Sequence, residues 1–98
     1  MAKILTFILT VSKEDTKFQQ FLEKLYFYQD KGYQIYVFCL DEGVKEIDSL
    51  TSLFKGIAVF GCAYATQARS LPIIEKATYG GLGLLADLIV ESDIIIAF

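Results

Sequence analysis

"KILTFILT", residues 3–10, decides the fold. From Ile4 to Leu9 only Thr6 is polar, and β-favouring side chains dominate. A strand with one wet face alternates apolar and polar residues, and this run does not. It reads as a strand covered on both faces, as in a parallel sheet. Lys3 followed by "ILTFILTV" also has the outline of a short leader. Yet the run leads straight into "SKEDTK" with no small-residue cleavage site, so a buried first strand is the better reading.

Working outward, the chain alternates. Ser12 is expected to cap a helix, with Asp15 reinforcing its positive first turn. Phe18, Phe21, Leu22, Leu25 and Tyr28 then recur at helical spacing, opposite Lys17, Gln20, Glu23, Lys24 and Lys31. Gly32 closes that helix. "QIYVFCL" (34–40) repeats the double-sided strand pattern, and "DEG" (41–43) reads as a turn. Val44, Ile47 and Leu50 mark a shorter helix that ends at Lys55-Gly56. "IAVF" (57–60) is a third strand, which Gly61 is expected to break. Residues 62–70 look helical, and Pro72 prevents a simple continuation. "KATYGGLG" (76–83) has room for a short strand before a turn. Leu84, Leu85, Leu88 and Ile89 give a last helix. "DIIIAF" (93–98) reads as a closing strand buried on both sides. This order predicts an α/β fold: a three-layer α/β/α sandwich on a mainly parallel sheet of about five strands, in a single domain over 1–98.

Composition narrows the function. The 98 residues are 54% hydrophobic with six tyrosines and eight phenylalanines, more than a small monomer readily hides, so a subunit interface is expected, with an unusually dense core as the alternative. A net charge of −3 without a basic run argues against nucleic acid as a ligand. Asp87, Glu91 and Asp93 interrupt the C-terminal apolar stretch before it reaches the ~18 residues of a membrane span, so no membrane partner is expected. Two cysteines, Cys39 and Cys62, make no disulfide framework; free thiols suit the cytoplasm. With no histidine there is no Ser-His-Asp or Cys-His catalysis and no histidine metal site, and two cysteines cannot build a four-cysteine zinc site. No metal and no cofactor are called for.

In an open parallel sheet, chemistry gathers beyond the carboxyl ends of the strands. Cys62 falls there, in "FGCAYATQARS" (60–70). In a first helical turn, unpaired N–H groups and the dipole stabilise thiolate over thiol, and thiolate is the nucleophile that attacks a disulfide or persulfide sulfur. Asp41 and Glu42 reach the same edge in this reading and oppose that charge; Lys13 offsets them. Cys62 can equally be a small buried hydrophobe, as free cysteines often are, and Cys39, amid a strand, reads as core. Arg69 follows Cys62 by about two helical turns, ~10 Å along the axis, which suits a salt bridge or subunit contact better than contact with the thiol. Gly80-Gly81-x-Gly83 is either an anion cradle at a helix N-terminus or a plain turn; it lacks the full phosphate-loop pattern.

"GCAYATQARSL" (61–71) resembles the DsrE/DsrF-like family, including its TusD branch, in which a cysteine is followed seven residues later by arginine. "DKGYQIYVFCLDEGV" is similar to that family's glycine turn, second strand and following loop. "GGLGLLADLIVESDIIIAF" resembles its closing helix and last strand, so the likeness runs nearly end to end. It implies sulfur relay: Cys62 as the sulfur-carrying nucleophile, with Arg69, Gly61, Lys13, Gly80 and Gly81 in support. It also implies donor and acceptor proteins as partners, and homo- or hetero-oligomers, commonly trimers or hexamers. The chain departs from the pattern at Ser70, where the family often has glycine, and at Ala65, where some members carry a second cysteine. A local Cys-x-x-Cys pair is thus excluded, and a one-thiol carrier remains. Tyr33 stands where relatives often have histidine. The alternatives are an oligomeric structural or small-ligand-binding module without sulfur traffic, and a nucleotide-binding, flavodoxin-like protein.

Overall fold

The computed structural model describes residues 2–98. Five strands, β1 (Ile4–Leu9), β2 (Gln34–Cys39), β3 (Ile57–Cys62), β4 (Thr78–Gly80) and β5 (Ile94–Ala97), form one sheet in the order β4-β3-β2-β1-β5. All four pairings are parallel. Between them run α1 (Thr16–Asp30), a 3-10 helix (Asp41–Glu46), α2 (Ile47–Leu53), α3 (Ala63–Ala68) and α4 (Leu82–Glu91).

Topology assigns the layers. From β1 to β4 the chain steps in one direction across the sheet; from β4 to β5 it crosses back over three strands. Right-handed crossovers therefore put the first three connections on one face and α4 on the other. Contacts agree. Leu5, Phe7, Leu9, Ile35, Val37, Cys39 and Val59 share one core with residues of α1, α2 and α3. Phe7 meets Phe21 of α1 edge to face, with ring centroids 5.2 Å apart. Full burial of one such ring contributes about 1.5–3 kcal/mol. On the other face, Thr6 bonds Ser92 just beyond α4, and Leu84 of α4 lies against Gly80.

Several expectations change. Asp15, not Ser12, caps α1: its Oδ1 accepts the Lys17 N–H at 2.8 Å. Ser12 is buried, and its hydroxyl donates to Glu14. The "DEG" turn extends into the 3-10 helix, whose Val44 enters the core. Gly61 does not break β3. It pairs with Cys39 and Tyr79 inside the sheet, and glycine leaves room there: a Cβ would lie 2.5 Å from Ile47 Cδ1 and 2.9 Å from Tyr79 Cε2, so both side chains would have to shift. β5 is an edge strand with Ile95 exposed, rather than a strand covered on both sides. Continuous apolarity there reflects a free face, not burial. No helix among the described residues is long and apolar enough to cross a membrane.

Candidate functional site

The carboxyl ends of β1, β2 and β3 bring three loops to one edge. Cys62 ends β3, pairs with Gly80 of β4, and caps α3. Its Sγ accepts the Ala65 N–H at 3.4 Å, and its carbonyl accepts from the Thr66 hydroxyl at 2.9 Å. The i to i+4 hydroxyl bond from the buried Thr66 fixes the first turn of α3 beneath the sulfur. Cys62 is half-buried. Cys39 differs in kind: it is 0% exposed. Burial, aided by the nearby Glu46 carboxylate, drives its thiol far above the ordinary range, so it stays protonated and inert.

Arg69 lies just past α3 and turns its guanidinium across to the loop after β2. Nε donates to Glu42 Oε2 at 2.8 Å, Nη2 to Asp41 Oδ1 at 2.5 Å, and Nη1 to Ala65 O at 3.2 Å. Lys45 Nζ pairs with Glu42 Oε1 at 2.6 Å. The bond from Lys45, then that from Arg69, holds the Glu42 carboxyl below its ordinary range, and the carboxylates hold both cations above theirs. The two acidic residues set against a thiolate are therefore themselves neutralised. Ala65 joins the two halves: its N–H meets the sulfur and its C=O meets Arg69. Asp41 and Ser70 both adopt positive φ, +50° and +52°, at the points where the chain turns into and out of this bridge.

The other candidates sit at varying removes. Gly61 underlies the site as the buried residue before Cys62. Lys13 follows β1, which β2 separates from β3, so two strand spacings of about 5 Å each intervene. Its backbone N–H donates to Glu46 Oε2 at 3.1 Å. Gly80 lies beside Cys62 in the sheet, and a Cβ there would come within 2.7 Å of Leu84 Cδ2. Gly81 caps α4, and its carbonyl takes the Leu84 and Leu85 N–H groups, the arrangement of a plain turn into a helix. Tyr33 packs on the core edge to face with Tyr28. Among the described residues no cluster of His, Cys, Asp and Glu is placed to hold a metal ion. The sequence reading missed Ala65, Thr66 and Lys45 as parts of this edge. Two of them had a signal: Thr66 stands four residues after Cys62, and Lys45 three after Glu42, both helical-neighbour spacings.

No protein-family model matches the chain, and no curated protein matches it. Solved structures do. The YchN protein from E. coli superposes with a TM-score of 0.74 at 18% identity, covering 100% of both chains. MTH1491, a protein of unknown function from Methanobacterium thermoautotrophicum, superposes at 0.72 with 15% identity, covering 98% of this chain and 99% of its own. At such identities the likeness is one of fold. The five-stranded parallel sheet with its helices is the fold of YchN, a DsrE/DsrF-like fold, the fold family to which "GCAYATQARSL" pointed.

Proposed function

We propose that this chain is a sulfur carrier: Cys62 accepts sulfane sulfur as a persulfide and passes it to a partner protein. The observation that carries the reading is the contrast between its two thiols. Cys62 is only partly buried and receives an N–H at its sulfur, whereas Cys39 is sealed and protonated. In the transfer, the Cys62 thiolate attacks the terminal sulfur of a donor persulfide, R–S–SH. A new S–S bond forms at Cys62 as the donor's S–S bond breaks, and the electron pair leaves with R–S⁻. The proton stays on the transferred sulfur, and nothing is oxidised or reduced overall. A nucleophile on the acceptor then repeats the exchange. Neither half-reaction needs a metal or a cofactor. Gly61 and Gly80 hold the strands around Cys62, Arg69 neutralises the acidic loop beside it, and Lys13 and Gly81 complete the edge that meets a partner.

The test is intact-mass spectrometry after exposure to a persulfide donor. An adduct of about +32 Da, one sulfur atom, is expected on the wild-type chain and absent from Cys62→Ser. Sulfur found only on Cys39 would refute the carrier and leave a structural or ligand-binding module.

Subunit association belongs to the same reading. Val90 and Leu82 on α4 are 84% and 72% exposed, and Tyr64, two residues from Cys62, is 80% exposed. Apolar exposure on this scale supports a homo- or hetero-oligomer, a trimer or hexamer, with Cys62 near its contacts. Free thiols suit a reducing, cytoplasmic setting.

A further inference from the structure

Among the described residues the sheet ends in two edge strands, β4 and β5. An edge offers unpaired N–H and C=O groups to any strand that fits, and folded proteins blunt it with lysine, proline, a bulge or brevity. β4 is blunted: it has three residues and ends at Gly80-Gly81. β5 is not. Ile94–Ala97 carries neither charge nor proline, and its register with β1 runs unbroken from Leu5–Ile94 to Ile8–Ala97. Phe98 fixes which groups are free. Its N–H donates to Ile8 O at 2.8 Å and its C=O accepts from Thr10 N–H at 2.6 Å, so both face β1. Main-chain groups alternate sides along a strand. Those of Ile94 and Ile96 therefore face β1 too, and those of Ile95 and Ala97 point away from it, where the sheet ends. The same two residues are the exposed ones of the strand.

We infer that β5 pairs antiparallel with β5 of a second copy of this chain, about a two-fold axis at Ile96. Ile95 of each chain then faces Ala97 of the other. Each such pair exchanges two N–H···O=C bonds, four in all, and sets an exposed isoleucine against a small alanine. A copy of the chain matches the edge in length and in the spacing of its free groups, and β4 matches in neither. Charge sets the direction: antiparallel pairing sends the two Asp93 carboxylates to opposite ends, whereas parallel pairing sets them side by side. Four bonds alone fall far short of the ~800 Å² per partner of a stable interface. The edge therefore closes together with α4. Ile95 is in register with Thr6, which bonds Ser92 at the end of α4, so it shares that helix's face, where Ile89 and Val90 are exposed. The inference rests on the association proposed above, whose contact it names, and not on the sulfur chemistry. Of the two proposed sizes, six chains can all be paired in this way and three cannot.

The experiment reads amide hydrogen exchange of the full chain by NMR at low and high protein concentration, with light scattering on the same samples. Ile94 and Ile96 should be protected throughout. Ile95 and Ala97 should exchange freely in single chains and slow by about tenfold or more as chains associate. Ile95→Lys, at an exposed position, supplies the missing guard and should remove that protection while leaving Ile94 and Ile96 unchanged. Register is tested in the Cys62→Ser chain, whose remaining Cys39 is sealed. A mixture of its Ile95→Cys and Ala97→Cys forms should give a disulfide-linked pair under mild oxidation, because the facing Cα atoms lie about 5.5 Å apart. Either form alone should not, because like positions are about 8 Å apart. Association without protection at Ile95 and Ala97 would keep the assembly and overturn this contact, leaving the edge free for a strand of another protein. Single chains at every concentration would overturn both, and linkage as efficient in one form alone as in the mixture would overturn the register.

Discussion

At the scale of single residues, the site depends on what Gly61 lacks and what Arg69 reaches. Gly61→Ala would drive a methyl into Ile47 and Tyr79, and both must move. The expected cost is about 1–3 kcal/mol, read as a lower denaturation midpoint at unchanged m-value. Arg69 acts through charge. Arg69→Ala leaves Glu42 with Lys45 alone and Asp41 with no cation, so the edge beside Cys62 becomes net negative. Alkylation of Cys62 by anionic iodoacetate should then slow roughly two- to fivefold relative to neutral iodoacetamide, the scale of one partly screened surface charge, and Arg69→Lys should recover part of the loss. An unchanged ratio of the two rates would separate Arg69 from the thiol. The bridge also has a pH signature. The folded protein lowers the Glu42 pKa below its ordinary 4.5, so its contribution is fully present above the unfolded value. It is lost as pH falls through the folded one, so the Arg69-dependent part of stability should vanish in acid and persist at neutrality. Cys62 and Arg69 were legible in the sequence because thiol and guanidinium are scarce, chemically marked groups. Their link through Ala65 was not, because a backbone N–H and C=O carry no residue-type signal.

At the scale of elements, apolar runs announced β1, β2 and β3, and the rule that such a run means cover on both faces held best for β1 and β2; in β3 only Val59 and Gly61 are buried. The same rule misjudged β5. "DIIIAF" is as apolar as β1, but sheet order decides which strand is flanked, and sheet order is set by a crossover rather than by local pattern. The α1 start slipped by three residues for a related reason. Ser12 and Asp15 are both good caps, and the choice fell to tertiary context, which buries Ser12. α4 depends on one polar anchor. Ser92 Oγ donates to Leu88 O at 2.6 Å, so the buried Thr6 hydroxyl is the donor in its 2.5 Å bond to Ser92 Oγ. Thr6→Val keeps the shape and removes that donor. It should cost about 0.5–1.5 kcal/mol. Amide exchange should rise first in α4 and the Ser92 turn, while α1 and β2 keep their protection; uniform loss across the chain would mean that α4 is not a separate unit.

At the scale of the whole molecule, the two faces of the sheet are unequally served. One carries α1, the 3-10 helix, α2 and α3; the other carries α4 alone, ten residues long, with Asp87 and Glu91 its only charges. A helix apolar on nearly every side belongs in an interior. Here Leu88 alone is buried, while Leu82, Ile89 and Val90 face outward. Exposed Ile95 of β5 belongs to the edge strand that follows it. The proposed assembly would give α4 such an interior, built between chains. Light scattering behind gel filtration should give the mass of three or six chains of 11.0 kDa. Val90→Glu puts a charge where that contact would be dry and should shift the population to single chains without altering the far-UV spectrum. If the wild-type chain runs as a monomer at high concentration, α4 is simply an exposed apolar helix and the assembly is refuted. If Val90→Glu leaves an oligomer untouched, the subunits meet elsewhere, and the contact must be sought among Tyr26, Phe27 and Leu53 on the opposite face.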